Sequence, residues 1–188
     1  MSLRFAILTS LSERASSGIE LTRRFDRSIG YFWSATHQQI YREIGQLTAE
    51  GLVVANNRTQ PVGRGTPREL SITSRGIEAL GDWLAEIDEP TAPREAIMIR
   101  VRAAAATGEL AGLRPVIEHH LAVHEATLAA YQEIERRDFE VLPDLRLRLG
   151  HLVLRGGLLL EQAWAEWCRE ALSVLDAIED SASTSSSH

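Results

Sequence analysis

The sequence contains no lysine: its 20 basic residues are all arginine. Every basic contact of the chain is therefore a planar guanidinium, a group suited to phosphate and to guanine. Cysteine is almost as scarce. The one thiol, Cys168, excludes an intrachain disulfide and any metal site built from several cysteines. No apolar run approaches the roughly 20 residues of a membrane span. The apolar opening, residues 1–14, is interrupted by Thr9 and Ser10 and lacks a small-residue cleavage site, so it reads as a helix rather than a signal peptide. Enzymatic patterns are missing too: there is no GxSxG, no P-loop, no GxGxxG opening a helix after a strand, and no HExxH. These absences fit a cytoplasmic protein that is not an enzyme and uses no cofactor.

What is present is ordinary globular composition, 44% hydrophobic and 24% charged over 188 residues. The net charge of −6 conceals an asymmetry. Residues 1–75 carry ten arginines against six acids, whereas residues 76–188 carry ten arginines against twenty acids. A mildly basic front and an acidic back suggest an anion-binding module joined to something else.

Leu3, Ile7, Leu8 and Leu11 recur near helical spacing and predict a first helix. After "ASSG", the segment "GIELTRRF" can bury Ile19, Leu21 and Phe25 on one side of a second. In "SATHQQIYREIGQLTAEGLV", Ile40, Ile44 and Leu47 fall on one face of a third. Thr36 with Gln39 fits a capping box at its start, and Gly51 fits its end. Gln38, Arg42, Gly45 and Gln46 lie opposite the apolar face, flanked by Gln39 and Tyr41. Two short strand candidates follow, "LVVANN" and "RELSIT", joined by a long loop with Arg58 and Arg64 and with Arg68 at its end. Helix, helix, helix, strand, basic loop, strand is the order of a winged helix-turn-helix. In that fold the third helix enters the major groove and the wing reaches phosphate or the minor groove.

The segment 74–87 predicts an amphipathic helix with Ile77, Leu80, Leu84 and Ile87 on one side. "DEPTAP" is the best linker in the chain, and it sets domains at 1–90 and 91–180, with a solvated tail over 181–188. The back half predicts helices throughout. Residues 94–107 form one, ended by Gly108. Ile117, Leu121, His124, Leu128 and Tyr131 follow 4-3-4-3 spacing, a coiled-coil-like seam. The last helix, between Leu145 and Ile178, is apolar on nearly all sides around 152–160. That suggests burial by its own domain and by a second chain. Gly156 and Gly157 would each cost about 1 kcal/mol in a helix interior, which close helix approach could offset.

Each singled-out group has a plain reading beside a sharper one. Gln38, Gln39 and Arg42 are ordinary surface residues in isolation. In the winged context they become base readers, since Gln can bind adenine and Arg guanine in bidentate fashion. Thr36, His37 and Tyr41 are packing residues or phosphate contacts. His119, His120 and His124 invite a metal hypothesis, but His124 sits on the apolar seam, so a histidine packed between helices is the better reading and no metal is expected. His124, Leu160, Trp164 and Trp167 could line an effector pocket; interface packing is the alternative. Cys168 is most simply a small buried apolar residue.

Three stretches carry a family resemblance. "AILTSLSERASSGIEL" looks like the opening helix and second-helix start of the PadR-like transcriptional regulators. "THQQIYREIGQLTAEGLV" resembles their recognition helix, with Tyr41 at the usual tyrosine, and "GRGTPRELSITSRGIEAL" is similar to their wing. The likeness covers about the first 90 residues. "GGLLLEQAWAEWCREAL" looks like the helical C-terminal domain of the virulence-activator-like subgroup. Ile19 stands where tyrosine is usual, Glu69-Leu70 replaces a basic-aromatic pair, and Gly65-Thr66 is inserted in the wing; Glu69 weakens the wing's electrostatics.

The resulting expectation is a mainly α protein. An N-terminal winged helix-turn-helix of three helices and a two-stranded wing precedes an all-helical dimerisation domain. The resemblance implies a sequence-specific, DNA-binding transcriptional regulator, a homodimeric repressor on a palindromic operator, released by a small-molecule effector or partner. The alternative is an effector- or protein-binding module that keeps the fold without specific DNA binding. An enzyme on a helical scaffold is the third class.

Overall fold

The computed structural model describes residues 2–27, 35–56, 68–90, 95–141 and 143–185. The chain divides into two compact units, Met1–Pro90 and Thr91–His188. No helix among the described residues is long and apolar enough to cross a membrane.

The first unit runs α1 (Ser2–Glu13), β1 (Ser16–Ser17), α2 (Gly18–Arg27), α3 (His37–Ala49), β2 (Val53–Asn56), β3 (Glu69–Ile72) and α4 (Ser74–Ala85). One side of each of α1, α2 and α3 is apolar, and these sides meet. Ile7, Leu8, Leu11, Leu21, Ile40, Ile44 and Leu47 form the core with Leu52, Val53 and Leu70 from the strands. The ends of α2 and α3 are set by local chemistry. Ser17 Oγ accepts from the Glu20 amide, and Glu20 Oε2 accepts from the Ser17 amide at 3.0 Å. Thr36 and Gln39 make the same reciprocal capping box at α3. Gly51, at φ 73°, supplies the left-handed turn after α3.

Three features of this unit differ from expectation. The sheet has three strands in the order β1-β3-β2, all antiparallel. β1 is two serines, too short to show a period, and its pairing of Ser16 with Leu70 is made by β3 rather than announced locally. α4 is rotated and shorter than its apolar pattern suggests. Gly76, Ala79, Leu80 and Trp83 face the core side, whereas Ile77, Leu84 and Ile87 are exposed, Ile87 beyond the helix end. Gly76 fixes this rotation by lying against the Leu52 carbonyl, and Trp83 stacks on Phe5 of α1 at 4.5 Å. Ile19, expected inside, is half exposed.

The second unit is helical: α5 (Ala96–Thr107), α6 (Leu113–Asp138) and α7 (Leu145–Ser185). Gly108 at φ 75° closes α5. Ile97, Ala104, Leu113, Ile117, Cys168 and Leu175 form its core. Burial pushes the Cys168 thiol up from its ordinary value, as for an inert apolar residue. The seam read from α6 faces inward, buried at Ile117 and Tyr131 and half-buried at Leu121, His124 and Leu128. Gly157 is explained by this packing: a Cβ there would lie 2.9 Å from the Tyr131 ring. Ion pairs lace α6 to α7, including Arg114–Asp176 at 2.6 Å and Arg169–Glu125 at 2.7 Å. α7 extends through Ser185, into the stretch expected as tail. After Gly157 the sequence offers no glycine or proline to stop it, and Ser181 Oγ donates to the Ala177 carbonyl.

Candidate nucleic-acid interface

α3 presents an outer face on which Gln38, Gln39, Tyr41, Arg42, Gly45 and Gln46 are all exposed, opposite buried Ile40, Ile44 and Leu47. Thr36 and His37 at its start are exposed as well, while the acid in this stretch, Glu43, is half-buried. Positions 38, 42 and 45 form a line along this face with the same 4-3 spacing as the buried line 40, 44 and 47.

These residues do different things. Gln39 Oε1 accepts from the Thr36 amide at 2.8 Å and from Thr36 Oγ1 at 3.1 Å. A bidentate grip on adenine needs both ends of the amide, and in this structure the Gln39 oxygen is engaged in positioning the start of α3. Thr36 is its capping partner. Gln38 and Arg42 project from the next turns without this role.

Tyr41 packs over Gly18, where a Cβ would sit 2.8 Å from its Cε1. Gly18, Ile19, Tyr41, Ile44, Arg68 and Leu70 line a cavity of about 300 Å³ between the start of α2, α3 and strand β3. Arg68, exposed just before β3, thereby stands beside Tyr41. Arg58 and Arg64 lie outside the described residues. Other arginines of this unit serve the fold. Arg24 donates to the carbonyls of Ser10 and Arg14 at 3.1 and 3.0 Å and pairs with Glu13; Arg4 pairs with Glu50.

In the second unit, His124 stacks on Trp164 at 5.7 Å and shares a 2.6 Å hydrogen bond with Glu161, and Trp164 meets Trp167 edge-on at 5.7 Å. Both tryptophans pack against the core of this unit. Leu160 does not join them. It is 58% exposed, one helical turn before Trp164 on α7, an exposure that suits the interface alternative rather than a pocket wall. His119, His120 and His124 are ring neighbours at 6.4 and 6.1 Å, and no metal-binding group of three or more such side chains occurs among the described residues.

The apolar sides of α7 expected from the sequence are not all covered within this unit. Leu145, Leu149, Leu152, Val153, Leu159 and Leu160 are each more than half exposed on α7. Together with Gly156, positions 145, 149, 152, 156 and 159 repeat the 4-3 spacing of a coiled-coil seam. The spacing was visible in the sequence; that α6 would leave it uncovered was not.

Residues 93–176 match the family described as virulence activator alpha, C-terminal. The probable transcriptional regulator Rv1176c of Mycobacterium tuberculosis is 38% identical over 188 residues, covering 93% of this chain and 98% of that protein. Among solved structures, the virulence activator AphA of Vibrio cholerae is similar at a TM-score of 0.78 and 34% identity, over 94% of this chain and 99% of that one. PadR of Bacillus subtilis in complex with operator DNA is similar at 0.76 and 26% identity, over 93% and 99%. The same PadR in complex with p-coumaric acid is similar at 0.73 and 25% identity, over 94% and 99%.

Proposed function

This chain belongs to the PadR-like family of transcriptional regulators, with a helical C-terminal unit of the virulence-activator type, and from that premise we propose that it is a cytoplasmic homodimer that represses transcription by occupying a palindromic operator. The observation that carries this reading is the outer face of α3: a capped, rigid helix with polar and basic side chains outward and no acid among its exposed central residues. We assign base reading to Gln38 and Arg42. Backbone contact falls to Thr36, His37, Tyr41 and Arg68, and to Arg58 and Arg64 of the wing loop. Dimerisation is assigned to the uncovered apolar seam of α7, whose partner is a second copy of the same seam.

Bacillus subtilis PadR is seen with p-coumaric acid, and a flat aromatic effector suits the ring faces of Trp164 and Trp167 beside His124. Such a ligand would act by changing the separation of the two recognition helices in the dimer.

Fluorescence anisotropy with DNA from the gene's own upstream region, across a salt series, tests the reading. The wild type should bind with a steep salt dependence. Arg42→Ala should lose about 5- to 150-fold in affinity for the preferred sequence and little on random DNA. Arg68→Ala should weaken both alike and reduce the salt slope by about one. A wild type that binds no DNA even at low salt overturns the proposal.

A further inference from the structure

Glycine in a helix interior lowers helix stability unless something requires it. Several glycines here are required by the chain itself. A Cβ at Gly18, Gly76 or Gly157 would meet another part of the same unit at 2.8, 2.3 or 2.9 Å. Gly45, in the middle of α3, is different. A Cβ built there meets nothing within 4 Å, and its backbone is ordinary right-handed helix. Nothing among the described residues of its own unit explains it. Gly81 and Gly156 share this openness. Gly156 lies in the apolar seam assigned to the partner copy, and Gly81 lies on α4 between exposed Ile77 and Leu84.

The surroundings of Gly45 point to what uses the space. It continues the line of Gln38 and Arg42, one turn beyond Arg42, with Tyr41 one turn before and exposed Gln46 beside it. The two preceding side chains on that line are long and polar; at Gly45 the line drops to bare backbone. A helix lying in a groove about 12 Å wide comes nearest the groove floor where its outward residue is smallest. We propose that Gly45 is the point of closest approach between α3 and operator DNA, and that its missing side chain sets how deep the helix sits and thereby which bases Gln38 and Arg42 can reach. This inference rests on the DNA-binding reading above.

The test uses two opposed effects. Gly45→Ala and Gly45→Leu both install better helix formers at an exposed site, so the full-length variants should melt at or above the wild-type temperature. Their operator affinity should nonetheless fall in order of size, about 10-fold for alanine and 100-fold or more for leucine. Affinity for random DNA should change much less, because shallow, non-specific docking does not need the close approach. Variants that bind the operator as tightly as wild type overturn the inference while leaving the DNA-binding reading intact. Equal losses on operator and random DNA overturn it as well, since a general block of the surface is not a depth gauge. A wild type that ignores DNA removes the underlying reading, and the two failures are told apart in the same titration.

Discussion

Gly76→Ala is expected to unfold the N-terminal unit or lower its melting temperature by about 10 °C or more. The added Cβ would sit 2.3 Å from the Leu52 carbonyl oxygen and 2.7 Å from Ile72 Cγ1. The first of these is backbone, so a rotamer change cannot relieve it. The surrounding groups are also committed. Thr73 Oγ1 donates toward the carbonyls of Gly51 and Leu52 at 2.8 and 3.1 Å and accepts from the Gly76 amide at 3.1 Å. The Thr73 amide donates to Leu52 O at 3.0 Å, and Arg75 reaches the Glu50 carbonyl at 3.0 Å. This knot ties the start of α4 to the turn that ends α3 and begins β2. A shift that makes room for a methyl group must break part of it, at a cost of about 3 kcal/mol or more. Gly81→Ala, one helical turn further along α4, is the control. Its Cβ meets nothing within 4 Å, so that variant should be as stable as wild type or up to about 1 kcal/mol more so. Urea unfolding followed by tryptophan fluorescence measures both, with Trp83 stacked on Phe5 as a reporter in this unit. Equal stability of the two variants would mean that the turn relaxes freely and that the knot does not hold the start of α4 in place.

The same residues show what a sequence can and cannot disclose. α3 was legible because independent signals coincide within one short stretch: a capping pair, an apolar line and a terminal glycine. The rotation of α4 was not, because of its apolar line through Ile77, Leu80, Leu84 and Ile87 only Leu80 lies on the side that packs. The choice is made by the contact of Gly76 with Leu52, a tertiary contact that no periodicity records. β1 escaped notice because two residues have no pattern. Gln39 was ambiguous for a chemical reason: the same amide that reads adenine can close a capping box, and only the geometry shows which partner has claimed its oxygen. In the helical unit, α7 is apolar on two sides. The sequence predicted that both would be covered, but the side that α6 takes emerges only from packing, through Leu158, Ala165 and Cys168.

The uncovered side of α7 carries the second large expectation. Leu152→Glu combined with Leu159→Glu should convert the proposed dimer to a monomer and reduce affinity for a full palindromic operator by about 100-fold or more. The two leucines are 67% and 58% exposed within their own unit, so carboxylates there remain in water and the folded unit should survive. In a dimer the same carboxylates would face each other across an apolar seam, unpaired and desolvated, and that cost opposes association strongly. Gly156, between them, leaves room for the partner helix to approach its backbone closely. The loss in operator affinity follows from linkage. Two reading heads on one dimer bind the second half-site at an effective concentration that multiplies affinity by about 10² to 10⁴. A monomer keeps only its single half-site. Leu158→Glu supplies the contrast, since Leu158 is buried within its own unit and a charge there should unfold it rather than merely separate two copies. Sedimentation equilibrium with circular dichroism separates these outcomes: a folded monomer for the double variant, an unfolded helical unit for Leu158→Glu. A double variant that stays dimeric and binds the operator as wild type would place the dimer contact elsewhere and leave the seam to another partner.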